Sequence, residues 1–123
     1  MVRVGIIGVG GISRKHIYEL LEIKECKITA ICDIDPAALK NTAERLGIDE
    51  AHCFADYREL VDCSEVDAVE ICTPNYLHVQ MAEYAVMQGK PVNVEKPLAL
   101  KTEDTGNLDK MIRERNHPNM MCF

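Results

Sequence analysis

The residues best suited to chemistry in this 123-residue chain stand at the ends of its apolar runs. Gly8, Gly10, Gly11, Ile12 and Ser13 follow the run Val2-Arg3-Val4-Gly5-Ile6-Ile7 and lead directly into a segment with helical spacing. That layout suits a phosphate cradle. Gly8 can take backbone angles closed to other residues, Gly10 lets the main chain approach a pyrophosphate, and the unpaired amides of the next helix face the anion. Ser13 stands where the fingerprint usually has glycine or alanine, and its hydroxyl is expected within reach of a phosphate. By itself a G-x-G-x-x-S pattern describes a tight turn equally well.

Asp33 supplies the second signal. It ends the β-branched run Ile28-Thr29-Ala30-Ile31-Cys32, twenty residues beyond Ser13. A dinucleotide fold places there the carboxylate that accepts hydrogen bonds from the adenosine ribose. With Asp35 close by and no Arg beside it, that carboxylate opposes a 2′-phosphate, so NAD is expected rather than NADP. Asp35 itself reads as the cap of a helix opened by Pro36. Lys96 is the third signal. A lone ammonium at the carboxyl end of a strand lies in the crevice where α/β folds bind ligands, and it can polarise a substrate hydroxyl or steady an alkoxide. A salt bridge to Glu95 is the competing reading, but strand neighbours point to opposite faces.

Strands and helices alternate around these residues. Ile12, His16, Ile17, Leu20 and Leu21 predict one apolar stripe on a first helix. His16 reads as a packing residue rather than a base, because nothing near it in sequence is a partner. Arg14 and Lys15 oppose the dipole of that helix, which a bound phosphate would relieve, or are simply solvated. Leu39, Ala43 and Leu46 predict the inner side of a second helix, closed by Gly47. His52-Cys53-Phe54 reads as a short strand, Asp56 to Val61 as a short helix capped by Asp56, and Ala68 to Cys72 as a strand broken by Thr73-Pro74-Asn75. Leu77, Met81, Ala82, Ala85 and Val86 predict a helix ended by Gly89, and Pro91 to Val94 a further strand. A last helix starts near Thr102 with Leu108, Met111 and Ile112 inward, and Asn119 to Phe123 opens a sixth strand. This order implies an α/β fold: a doubly wound, mostly parallel sheet in three layers.

Composition narrows the function. The chain has room for one domain, and 47% hydrophobic with 28% charged residues suits a globular protein. A net charge of −6 argues against nucleic-acid or anionic-membrane partners. No run is long enough to span a membrane and the N-terminus reads as a strand, so a cytoplasmic location is expected. The six cysteines show no C-x-x-C pair and no His in ligand spacing, which predicts reduced, structural thiols and no metal.

Three motifs together carry a resemblance: Gly8-x-Gly10-Gly11-Ile12-Ser13-x-x-His16, then Ile71-Cys72-Thr73-Pro74-Asn75-x-x-His78, then Gly89-Lys90-Pro91-Val92 leading into Glu95-Lys96-Pro97. In order and spacing they resemble the glucose-fructose oxidoreductase and inositol dehydrogenase family (Gfo/Idh/MocA). The resemblance implies a Rossmann-type domain over residues 1–123 and a C-terminal substrate domain absent from this chain. It implies that Gly8, Gly10 and Ser13 line the pyrophosphate and Asp33 holds the ribose. Thr73, Pro74 and Asn75 would border the nicotinamide end, with His78 opening the next helix. Lys96 would be the active-site lysine of the Glu95-Lys96-Pro97 motif, with a cis peptide before Pro97. The implied substrate is a sugar, polyol or related compound. The family's Asp-x-x-x-His motif is missing, so the chain alone is expected to bind NAD with little or no turnover. Met120, Met121 and Phe123 are expected to leave an apolar edge that self-associates. The rival reading is a free-standing module that binds NAD(H) as a sensor or interaction partner without catalysis.

Overall fold

A computed structural model of the chain describes residues 1–95, 102–115 and 120–121. In chain order the elements are β1 (Val2–Ile7), α1 (Ser13–Glu22), β2 (Cys26–Cys32), α2 (Pro36–Leu46), β3 (Cys53–Phe54), α3 (Tyr57–Asp62), β4 (Ala68–Ile71), α4 (His78–Met87), β5 (Val92–Val94), α5 (Thr102–Arg115) and β6 (Met120–Met121). Single 3-10 turns, Glu50–His52 and Asn75–Leu77, precede β3 and α4. The strands form one sheet in the order β3-β2-β1-β4-β5-β6, and every neighbouring pair is parallel. The chain winds outward from β1 in one direction and then returns to wind outward in the other. The point of return lies between β1 and β4, where open α/β sheets leave a crevice at their carboxyl ends. The expected doubly wound architecture is the one observed.

Both faces of the sheet are covered, which is why its strands are apolar almost throughout. Val4, Ile6, Ile28 and Ile31 pack with Ile17 of α1, against which Leu20, Leu39, Ala43 and Leu46 also lie. On the other face Ile7, Ala30, Val69, Ile71, Val92 and Val94 pack with α3, α4 and α5 through Leu60, Met81, Ala85, Val86 and Leu108. Ile28 and Ile31 share a face although three residues apart. The register against β1 jumps between Val4 and Gly5, leaving Thr29 as an extra residue, and this bulge resets the alternation. Gly5 lies where α3 crosses the sheet: a Cβ there would stand 2.7 Å from Leu60 Cδ2.

Local signals placed the helix ends. Asp35 accepts from Ala37 N at 3.0 Å and Asp56 from Arg58 N at 2.9 Å, so α2 and α3 are capped as expected. Gly47 closes α2 at φ 68° and Gly89 follows α4 at φ 78°. The stripe on α1 is narrower than its spacing predicts. Ser13, His16 and Ile17 are buried, whereas Ile12 and Leu21 at the margins are 62% and 57% exposed. The expected cap at Thr102 and the apolar side chains near the end of the chain, together with Cys122, lie outside what the structure describes.

Candidate functional site

The carboxyl ends of β1, β2 and β4 converge on Gly8. Its φ is +89°, its N–H donates to the Cys32 carbonyl at 2.8 Å, and a Cβ would stand 2.8 Å from the Cys72 carbonyl oxygen. Only glycine fits between these strand ends. Beyond it Gly10, Gly11 and Ile12 are exposed, and a Cβ at Gly10 or Gly11 would meet nothing within 4 Å. No side chain caps α1, in contrast to α2 and α3, and no acid stands in its first turn. The start of α1 is thus an open set of backbone donors with the positive end of a helix dipole behind it. Ser13 departs from expectation. Its hydroxyl donates to the Gly10 carbonyl at 2.6 Å and the residue is buried, so it closes the glycine loop from within instead of facing an anion.

Asp33 braces this loop. One carboxylate oxygen accepts from Val9 N and the other from Asp35 N, each at 2.9 Å, and the residue remains half-exposed. It lines a cleft of about 550 Å³ together with Gly8, Gly10, Ile34, Thr73 and Pro74. Ile34, 89% exposed, forms an apolar lip to the cleft. The fold also brings Arg58 to the same cleft, a cation that sequence neighbours of Asp33 did not reveal. It is engaged elsewhere, 3.6 Å from Asp56 and 5.2 Å above the Tyr57 ring. Asn75 begins the exposed 3-10 turn after Pro74. His78 does not open on the cleft: fully buried at the start of α4, its Nε2 bonds the Thr73 carbonyl at 2.7 Å and supports the 73–75 loop from behind.

Behind the cradle lies a cluster that sequence spacing concealed. His16 does have partners, brought by the sheet from far along the chain. Its Nδ1 is 2.7 Å from Glu70 Oε1 and its Nε2 is 2.5 Å from Glu95 Oε2, with the side chains 10%, 6% and 15% exposed. Asn93 donates to both Glu70 oxygens, at 2.7 and 2.9 Å. Burial pushes the Glu70 carboxyl above its ordinary range. Glu95 thus directs its carboxylate to α1, and Lys96 and the peptide before Pro97 lie outside the described residues. A signal did exist in the sequence: Glu70 and Asn93 interrupt otherwise apolar strands, and a buried polar group requires a partner. His16, Glu70 and Cys72 also hold potential metal-ligand atoms within 4.8 Å of one another, although His16 and Glu70 are already bonded to each other. Cys26, Cys53 and Cys63 are free, as is buried Cys32, whose thiol is pushed up to about 12 chiefly by burial. Among the described residues no helix is long and apolar enough to cross a membrane.

Comparison with known proteins agrees with this geometry. The profile of the Gfo/Idh/MocA oxidoreductase family, described as an NAD-binding Rossmann fold, matches residues 2–123. A myo-inositol 2-dehydrogenase of Thermotoga maritima is 32% identical over 122 residues, covering 99% of this chain and 35% of that protein. An inositol 2-dehydrogenase of Burkholderia cenocepacia is 33% identical over 103 residues, covering 83% of this chain and 30% of the relative. Among solved structures, scyllo-inositol dehydrogenase from Lactobacillus casei with bound NAD(H) and scyllo-inositol superposes with a TM-score of 0.91 at 29% identity, over 98% of this chain and 36% of that one. Biliverdin reductase from Synechocystis with biliverdin and NADP+ gives 0.90 at 28% identity, over 98% and 37%. The chain spans about a third of the length of the relatives it matches. With the open cradle, the braced carboxylate and this match over nearly its whole length, the chain belongs to the Gfo/Idh/MocA oxidoreductases as their NAD-binding Rossmann domain.

Proposed function

We propose that this chain binds NAD(H), in preference to NADP(H), as the cofactor domain of a dehydrogenase acting on a hydroxyl-bearing carbon of a sugar, polyol or related compound. The observation that carries the cofactor reading is Asp33. Its carboxylate is fixed by Val9 N and Asp35 N at the mouth of the cleft, and it keeps acceptor capacity for ribose hydroxyls. The residues present fit a dinucleotide: exposed main chain at Gly10 and Gly11 with open space around it, uncapped amides at α1, and an apolar wall. When bound, the dinucleotide supplies the hydride acceptor or donor. The chain's own residues bind and orient it, and Lys96 is assigned to polarise the substrate hydroxyl. The polyol reading rests on the inositol dehydrogenases among its relatives.

Arg58 favours a second reading, in which it turns from Asp56 to meet a 2′-phosphate. Titrating the chain with NADH and with NADPH, following nicotinamide fluorescence, separates the two. The chain has no Trp, so little emission competes. NADH is expected to bind the more tightly, and Asp33→Ala to weaken it by about tenfold or more through loss of a charged acceptor. Tighter NADPH binding that Arg58→Ala abolishes would establish the second reading.

A further inference from the structure

The buried cluster of His16, Glu70 and Glu95 has a charge that can be counted from its geometry. A ring nitrogen and a carboxylate oxygen at 2.7 or 2.5 Å need a hydrogen between them, since two lone pairs repel. Two such contacts hold two hydrogens among one imidazole and two carboxyl groups. Imidazolium with two carboxylates sums to one negative charge. Neutral imidazole with one carboxylic acid and one carboxylate gives the same sum. Asn93, which donates to Glu70, adds none. Among the described residues, Glu70 and Glu95 form no ion pair with Lys or Arg. On the same helix Arg14 and Lys15 are exposed, and Lys15 reaches Glu19 at 3.8 Å.

This charge adjoins the cleft. Cys72 lines the cleft, and its sulfur lies within 4.8 Å of the polar atoms of His16 and Glu70. Buried charges are poorly screened by salt. We propose that the cluster biases the cofactor site toward the oxidised dinucleotide, whose nicotinamide ring is a cation, over the reduced one, whose ring is neutral. The inference rests on the NAD(H) reading above. The two forms share their phosphates, riboses and adenine, so the glycine cradle and Asp33 contribute equally to both. Their affinity ratio therefore reports the field at the ring.

The test measures dissociation constants of NAD+ and NADH on this chain and on the double variant Glu70→Gln with Glu95→Gln. In that variant neutral imidazole donates to one amide oxygen and accepts from the other amide N–H, so the contacts survive and the charge is lost. A single Gln substitution leaves the cluster a choice of charge and is a poorer probe. The preference for NAD+ over NADH is expected to fall about fivefold in the double variant, the effect of a unit charge several ångströms away at intermediate dielectric. Asp67→Asn, which removes a carboxylate at the opposite end of the sheet, should leave the ratio unchanged. Binding of both dinucleotides with an unaltered ratio in the double variant overturns the inference. Failure of the wild-type chain to bind either one overturns the NAD(H) reading instead.

If the double variant does not fold, wild-type protein carries the test through pH. The groups facing the imidazole are Glu70 from β4, Glu95 beyond β5, and the nearby Cys72; His78 stands behind Thr73. Since burial raises the Glu70 carboxyl, a third proton enters the cluster above the ordinary carboxylate range and cancels its charge. The preference for NAD+ should decline as the pH is lowered from about 8 to about 5. A flat ratio over that range overturns the proposal.

Discussion

The two ends of the sheet treat their polar groups in opposite ways. At the amino end they are tied to one another. Arg3 bonds Asp67 through Nε at 3.0 Å and Nη2 at 2.8 Å, and Glu65 through Nη1 at 3.1 Å. Thr29 donates to the Glu65 carbonyl at 2.7 Å, and the Lys90 ammonium to the Cys63 carbonyl at 2.8 Å. The guanidinium holds the Asp67 carboxyl down to about 2. At the carboxyl end Gly10, Gly11 and Ile12 are exposed, the first helix lacks a side-chain cap, and the carboxylate that braces the loop lines a cleft. A folded chain normally pairs its polar groups, so the place where donors stay available marks where a ligand is expected. The contrast also operates inside the carboxyl end, where Asp35 and Asp56 close α2 and α3 while α1 stays open.

The comparison can be broken most severely at Gly8. Gly8→Val forces a β-branched residue to φ near +89° and drives its Cβ against the Cys72 carbonyl. Unfolding free energy by denaturant titration should fall by about 3 kcal/mol or more, and NADH binding should be lost. Gly10→Ala sharpens the contrast. Its methyl meets no protein atom, so the melting temperature should stay near wild type while NADH affinity falls about tenfold, as main chain and pyrophosphate are held apart. Unchanged affinity would remove Gly10 from the cradle. The smallest effect belongs to the amino end. Asp67→Asn should leave NADH binding intact and lower thermal stability at neutral pH. Because the folded Asp67 carboxyl lies below its ordinary value, that stabilisation is complete above the unfolded value and disappears as the pH falls through about 2. Melting curves of wild type and variant should therefore converge in acid.

Much of this arrangement was legible in the sequence because its causes are local. Asp35 and Asp56 are caps by virtue of the two residues that follow them, Gly47 by its left-handed backbone, and the strands by apolar runs that only a sheet covered on both faces can bury. Asp33 stands out in the sequence by its distance from the glycines, yet its bonds to Val9 and Asp35, which make it part of the loop, depend on the fold. The margins of α1 differ from the spacing because a ten-residue helix on a twisted sheet buries a narrower stripe than its apolar residues could cover. Ser13 shows the limit of motif reasoning: its place in the glycine loop follows from the spacing, whereas the inward turn of its hydroxyl to the Gly10 carbonyl does not. The partners of His16 and the approach of Arg58 to the cleft were hidden for one reason. Both depend on which strands become neighbours, and adjacency in a doubly wound sheet does not follow adjacency in the chain.

That long reach has a kinetic consequence. Glu95 meets His16 across 79 positions of sequence, and Glu70 reaches the same ring from β4. The clamp closes only after β1, β4 and β5 have come together, so its energy enters after the loop-closure entropy of those pairings has been met. Contacts made past the folding barrier govern escape from the native state rather than arrival at it. Removing one partner by Glu95→Gln is therefore expected to raise the unfolding rate more than it lowers the folding rate, which stopped-flow measurement of both rates checks.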